Sequence, residues 1–252
     1  MRFASLGSGS KGNATLVEWR DTCVLVDCGF SIRETELRLA RFNRHPEQLT
    51  AILVTHEHGD HLRGVMPLAR RYNIPVMMTA GTAQAAGDAP RVRITHIADM
   101  QALHVGELRV EPVAVPHDAR EPVQFVFRSP DSCLGILTDL GSISAHVVDR
   151  YRHCDGLLLE ANHDTEMLAN GPYPYPLKRR VGGDWGHLNN GQAAALLGAI
   201  NTGRLRTLVL GHISQQNNHP DRVRDQVGDL TAAVPSVVYA CQDAGFPWQV
   251  LG

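Results

Sequence analysis

Thr55-His56-Glu57-His58-Gly59-Asp60-His61 places three histidines and the carboxylate of Asp60 within the six residues 56–61, directly after the apolar run Ala51-Ile52-Leu53-Val54. Side chains two apart on an extended backbone point the same way, so His56 and His58 can grip one ion. Asp60 and His61, past a bend expected at Gly59, can serve a second. The helical zinc motif spaces its two histidines four apart on one face, whereas here the first pair is two apart and Gly59 interrupts any helix. A loop at the end of a strand is the better placement. The competing reading, a polar loop whose histidines only cap a helix, leaves the gathering of so many ligand types unexplained.

Working outward, several other apolar runs end in groups of the same kind. Cys23-Val24-Leu25-Val26 runs into Asp27, a carboxylate that needs a partner at the end of a buried strand and that could otherwise cap a turn. Val113-Ala114-Val115-Pro116 precedes His117, for which His96 and His104 compete from more polar surroundings. Gly135-Ile136-Leu137-Thr138 leads to Asp139, either a ligand or the N-cap of a helix beginning near Ser142. Leu157-Leu158-Leu159 leads to Glu160, and Leu208-Val209-Leu210-Gly211 to His212. His219-Pro220-Asp221 reads as a helix start, with proline at the first helical position and an acid in the first turn.

Between these points the chain alternates strand and helix in its first half. Helices are expected from Ile32 to Phe42, Leu62 to Tyr72 and Thr82 to Ala86, and a strand from Pro75 to Thr79. Short strands follow at 92–97, 108–115, 123–127 and 133–138, suggesting an antiparallel section. Later come an alanine-rich helix from Gln192 to Ile200, a helix through Leu230 and a strand at Val237-Val238-Tyr239. Gly7-Ser8-Gly9-Ser10-Lys11-Gly12-Asn13 is a hairpin turn. Its backbone N–H groups can form an anion-binding nest, with Ser8, Ser10, Lys11 and Asn13 adding donors, or it can be a plain flexible loop. Gly171-Pro172-Tyr173-Pro174-Tyr175-Pro176-Leu177 is stiffened by prolines and finished by Lys178-Arg179-Arg180, a basic triplet available to a substrate or simply to solvent.

The 252 residues, 43% of them hydrophobic, suffice for a sizeable core and are read as one domain, 1–252. No apolar run approaches the roughly 18 residues of a membrane span. Met1-Arg2-Phe3 enters folded-looking sequence without a signal-peptide pattern, so a cytoplasmic location and no membrane partner are expected. Five cysteines without a Cys-x-x-Cys pair point to buried thiols, with Cys28 close to the histidine cluster. A net charge of −2 excludes coating nucleic acid by bulk electrostatics but leaves room for a local basic channel.

His-x-His-x-Asp-His at 56–61 resembles the signature of the metallo-β-lactamase superfamily, and the later strand-end groups have counterparts in its other motifs. The resemblance implies an α/β fold: a four-layer αβ/βα sandwich of two mixed sheets flanked by helices, with two metal ions at its open edge. It implies His56, His58 and His117 on one ion, Asp60, His61 and His212 on the other, Asp139 bridging, and Asp27 orienting the ligands without binding metal. Glu160-Ala161-Asn162-His163-Asp164, Gly186-His187-Leu188-Asn189-Asn190 and the residues around His212 resemble the WalJ/YycJ-type branch. Asn189 stands where that branch commonly has serine.

Two divalent ions lower the pKa of a shared water towards 7 and polarise the bond under attack, so hydrolysis by a metal-bridging hydroxide is expected. No Gly-x-Ser-x-Gly elbow offers another nucleophile. Zinc suits mixed imidazole and carboxylate ligands, and the oxygen share also accommodates manganese or iron. His187, His163 and the basic triplet suit a phosphodiester better than a neutral β-lactam, with Asp60, Asp139, His187 and His163 as the catalytic set and Asn189 as a further substrate contact. The branch implies a DNA exonuclease acting from a 5′ end, with DNA repair as its expected setting. A small phosphodiester, or a thioester or lactone, is the alternative substrate for the same metals.

Overall fold

The structure is a computed structural model that describes residues 1–201 and 203–252. Its strands are β1 (Arg2–Gly7), β2 (Ala14–Trp19), β3 (Thr22–Val26), β4 (Ala51–Leu53), β5 (Val76–Met78), β6 (Ile94–His96), β7 (Leu103–Val105), β8 (Leu108–Ala114), β9 (Val123–Arg128), β10 (Cys133–Leu137), β11 (Gly156–Glu160), β12 (Thr207–Gly211), β13 (Ser236–Tyr239) and β14 (Phe246–Val250). The helices are α1 (Ile32–Ala40), α2 (Gly59–Leu62), α3 (Val65–Tyr72), α4 (Ala80–Ala86), α5 (Ala145–Tyr151), α6 (Thr165–Asn170), α7 (Tyr175–Val181), α8 (Asn190–Ile200) and α9 (Pro220–Thr231), with one 3₁₀ turn at Pro46–Gln48.

Among the described residues the strands form two seven-stranded sheets, ordered β14-β1-β2-β3-β4-β5-β6 and β13-β12-β11-β10-β9-β8-β7. Each is mixed: β1 to β3 pair antiparallel and β3 to β6 parallel, while β7 to β10 pair antiparallel and β10 to β13 parallel. Strand alternation explains the layering. Val24 and Val26 of β3 join Phe125, Phe127, Leu134 and Ile136 in a core between the sheets. Leu25, from the opposite face of β3, packs with Leu39 of α1 and Leu68 of α3. Leu157 and Leu159 of β11 turn outward to Val147 and Tyr151 of α5, and to Leu196 and Leu197 of α8. Covering both faces of each sheet makes its strands near-continuous apolar runs, and the result is the expected αβ/βα sandwich. No helix of the described residues is long and apolar enough to cross a membrane.

Several local expectations change. The helix expected from Leu62 to Tyr72 is divided at Gly64, whose N–H donates to Cys28 O at 2.7 Å and where a Cβ would lie 1.9 Å from Phe30 O. Gly59 opens α2 instead of breaking a helix. The proline-rich segment becomes helical from Tyr175, because Pro176 falls in the first turn, where its missing N–H is not needed. β14, which the sequence reading passed over, carries Pro247 on an edge strand paired with β1, a position that tolerates proline. The cysteines are unpaired, and Cys28 lies beneath the cluster with its Sγ 3.3 Å from Thr35 Oγ1, where burial pushes its thiol up to about 11.

Away from the strand-end cluster, Glu18 is held by Arg2 Nη2 at 2.6 Å and by Arg44 Nη2 at 3.0 Å. Burial alone would raise the pKa of Glu18, but the two guanidinium groups outweigh it and leave it lowered. A lowered folded-state pKa contributes stability that is present above the unfolded value of about 4.3 and is lost as pH falls through the folded value. Glu18→Gln is therefore expected to cost about 1–3 kcal/mol at pH 7, with the difference from the parent shrinking below about pH 4. Urea unfolding across pH measures this; a deficit independent of pH would show that the carboxylate charge is not the cause.

Candidate metal centre

The carboxyl ends of strands from both sheets meet at one edge, and the polar groups that ended the apolar runs meet there too. His56 and His58 lie in the loop after β4, Asp60 and His61 on α2, His117 beyond β8, Asp139 beyond β10, Glu160 at the end of β11 and His212 just after β12. Two of the residues at these ends adopt left-handed backbone, Asp27 at φ 61° and His212 at φ 52°. Such conformations cost energy in non-glycine residues and persist where surrounding contacts fix them. Asp27 is fixed by Thr55, whose N–H and Oγ1 donate to its two oxygens at 2.8 Å each.

His56 Nε2 lies 3.0 Å from His58 Nδ1, which is 3.3 Å from His117 Nε2. An ion with Zn–N bonds of about 2.0–2.1 Å sets tetrahedral nitrogens about 3.3 Å apart, so these three suit one cation. His58 precedes α2 but makes no capping bond. His117 Nδ1 donates to Gly186 O at 2.9 Å, which turns Nε2 towards the other two rings. Burial lowers the pKa of His56 well below the ordinary histidine value and that of His117 to about 4, so both present neutral lone pairs.

Asp139 lies among the remaining groups. Its Oδ2 is 3.1 Å from His61 Nε2, and its Oδ1 is 3.2 Å from His212 Nδ1 and 4.0 Å from His117 Nε2. Oδ2 is buried without a hydrogen-bond partner, as expected of an oxygen whose partner is a cation. Burial would raise the Asp139 pKa, but His212 and His61 outweigh it and hold it well below the carboxylate range. Burial opposes protonation of His61 and His212 as well, yet Asp139 and neighbouring carboxylates raise both, His212 to about 10. His61 donates Nδ1–H to Asp27 Oδ2 at 2.8 Å, leaving Nε2 for the cluster, the outer-shell arrangement typical of metal-binding imidazoles. Asp60 is set less tightly: its Oδ2 is 3.4 Å from His61 Nε2 and 3.2 Å from Asn13 Nδ2, at the cavity wall.

The donors therefore fit divalent metal, gathering as His56, His58 and His117, as His56, His61 and Asp139, and as Asp139, His212, Glu160 and His187, and the structure adds a neighbour to which the sequence reading gave no role. Glu160 is fully buried and accepts from the N–H groups of Leu140 at 3.1 Å and Leu188 at 3.0 Å, while its Oε1 is 2.7 Å from His187 Nδ1. His187 Nδ1 is 3.4 Å from Asp139 Oδ1. Burial opposes its protonation, but Glu160 and Asp139 outweigh that and raise its pKa. A carboxylate ending the apolar strand Gly156–Leu159 was the available signal, the same one that marks Asp139.

Above the cluster opens a cavity of about 410 Å³, lined among others by Ser10, Asp60, Asp118, Asp139, Arg180 and His187. Other expected contacts fall elsewhere. Ser8 Oγ accepts from His212 N at 2.9 Å, and Asn13 holds Gly9 N, Asp60 and His61. The glycine-rich turn is no anion nest, since the N–H groups of residues 8, 9, 11, 12 and 13 all donate within the protein. Of the four polar side chains proposed in that turn, Ser10 lines the cavity and Lys11 does not.

The basic triplet is divided by helix geometry. Arg180 lines the cavity and pairs with Asp118, whereas Lys178 Nζ donates to Ala169 O at 2.6 Å and Arg179 lies over the Tyr175 ring. Asn189 caps α8, its Oδ1 accepting from Gln192 N at 2.8 Å, and is not at the cavity wall. His163, expected to be catalytic, is buried, where burial lowers its pKa to about 4, and it is not among the residues lining this cavity.

A beta-lactamase superfamily domain model matches residues 22–213. The chain is 37% identical over 223 residues to the exodeoxyribonuclease WalJ of Streptococcus pneumoniae, covering 86% of this chain and 83% of that one. It is 34% identical over 236 residues to the exodeoxyribonuclease YycJ of Bacillus anthracis, covering 91% and 89%. Among solved structures, YhfI from Bacillus subtilis, a metallo-β-lactamase fold protein, superposes with a TM-score of 0.76 at 17% identity over 98% of each chain. The short form of human tRNase Z gives 0.69 at 18% identity over 100% of each chain. The chain belongs to the metallo-β-lactamase superfamily, is similar over most of its length to the WalJ and YycJ exodeoxyribonucleases, and is a metal-dependent hydrolase.

Proposed function

We propose that the protein is a dinuclear metal-dependent exodeoxyribonuclease that degrades DNA from a 5′ end. The observation that carries this reading is the company His187 keeps: a Glu160-held imidazole beside Asp139, in the same cavity as the Arg180 guanidinium. A phosphodiester demands positive charge for its non-bridging oxygens and a proton for its leaving oxygen, whereas a thioester or lactone does not call for a guanidinium. The names of the relatives similar to most of this chain support the same class.

In this reading His56, His58 and His117 would hold one ion and Asp60, His61 and His212 the other, with Asp139 between them. Zinc best suits that set, and manganese or iron also fits. Bound there, such ions would supply a hydroxide at neutral pH and would polarise the phosphoryl oxygen. Asp27 fixes the His61 ring, Arg180 takes a non-bridging oxygen, and Asp118 fixes the Arg180 head group. Glu160 keeps the Nδ1 proton of His187, so that Nε2 is the atom that passes a proton to the leaving oxygen.

The test is duplex DNA labelled at either end, incubated with the protein and Mn²⁺ or Zn²⁺. Early release of the 5′ label in short products, gradual shortening of 3′-labelled strands and abolition by chelator are expected. The mirror-image pattern reverses the polarity. DNA left intact by protein that opens a lactone or thioester refutes the nuclease reading.

A further inference from the structure

Trp185 is 63% exposed on a backbone that is firmly held. Its carbonyl accepts from Asp118 N at 2.8 Å, and the next carbonyl, of Gly186, accepts from His117 Nδ1 at 2.9 Å. On another side Gly141 packs so closely that a Cβ there would come within 2.6 Å of the Trp185 carbonyl carbon. The segment is thus tied to a cavity residue and to a cluster histidine while its indole stays uncovered. Gly186, the next residue, lines the cavity together with Tyr173 and Arg180.

The charges around this cavity raise a second point. Asp60 and Asp139 would be offset by the cations they hold, Arg180 is the one lysine or arginine among the described residues lining it and is already paired with Asp118, and the whole chain carries −2. Beyond the metal centre, a DNA strand therefore gains little from counterion release, the usual source of affinity for nucleic acid. Stacking of bases on aromatic rings is the main alternative source, and it is tolerant of sequence because every base has a π-face.

We propose that Trp185, with Tyr173, forms a base-stacking subsite for an unpaired nucleotide at the DNA end, next to the phosphate held by Arg180. The proposal rests on the nuclease reading above and names the form of its substrate: an end whose terminal bases are single-stranded or frayed. A ring on a fixed backbone suits this role, since little ordering is left for the moment of binding.

The experiment compares two phosphorothioate-linked strands of equal length, an oligothymidylate and the same backbone without bases, titrated against the metal-loaded protein while tryptophan fluorescence is followed. The parent is expected to prefer the oligothymidylate by roughly 5- to 150-fold, the range for one stacked base, with quenching of its emission. Trp185→Ala should lose both the preference and the quenching, leaving the signals of Trp19 and Trp248, at an unchanged melting temperature. Trp185→Phe should restore most of the preference. If the parent binds both strands equally, or Trp185→Ala keeps the preference, the subsite is overturned and the nuclease reading stands. If the parent binds neither strand and leaves labelled DNA intact, both fall.

Discussion

Asp139→Asn is expected to lower DNA hydrolysis by more than the roughly 10²–10³-fold that a single electrostatic contact supplies in an active site, and to reduce bound metal from two ions per chain towards one. The reason lies in where the carboxylate sits. Its Oδ2 lies 3.1 Å from His61 and its Oδ1 3.2 Å from His212, both of one proposed set, while Oδ1 is 4.0 Å from His117 of the other and Asp139 also groups with His56, so one carboxylate reaches ligands of both sets. Asparagine keeps the shape but removes the charge, and its amide nitrogen cannot coordinate as a carboxylate oxygen does. The core between the sheets is built from other residues, so the circular dichroism of the variant should match the parent. Elemental analysis and a labelled-DNA assay test this together. A variant that retains two ions and the parent rate would remove Asp139 from the metal centre.

Much of the fold and of the cluster was legible because one physical pattern repeats. A strand buried on both faces reads as a short apolar run, and whatever polar group follows it emerges at the sheet edge. Asp27, His56, His117, Asp139 and His212 all announce themselves in this way, and Glu160 does too, although its hydrogen bonds to Leu140, His187 and Leu188 come from segments far along the chain. The turn at residues 7–13 was not legible for the same reason in reverse. Its amides are used up by Cys241, Gln242 and Asp60, and no local pattern announces those partners. Asn189 could have been read better: Asn189 with Gln192 three residues later has the spacing of a capping box, a local signal for the helix start the structure contains. The basic triplet shows how a helix sorts consecutive residues. About 100° of turn per residue sends Lys178, Arg179 and Arg180 to different surroundings, and Arg180 is the one that meets Asp118.

His187→Ala is expected to keep two metal ions and to lose roughly 10²–10⁴ in DNA hydrolysis, the contribution of a positioned general acid. Retention of metal follows from the proposed ligand sets, which do not use His187 and leave its Nδ1 on Glu160 at 2.7 Å; because His187 also groups with Asp139, Glu160 and His212, the metal count separates the two roles. The substrate dependence of the loss carries the stronger test. A DNA linkage expels a strongly basic alkoxide that needs a proton as the bond breaks, whereas a nitrophenyl phosphodiester expels a weakly basic phenolate that does not. His187→Ala should therefore lose far less on the nitrophenyl ester than on DNA. Glu160→Gln should show the same selectivity in milder form, since glutamine still occupies the space beside the ring but stabilises the imidazolium less. Equal losses on both substrates would mean that His187 acts through substrate placement or through the metals, and departure of an ion from the variant would make it a ligand.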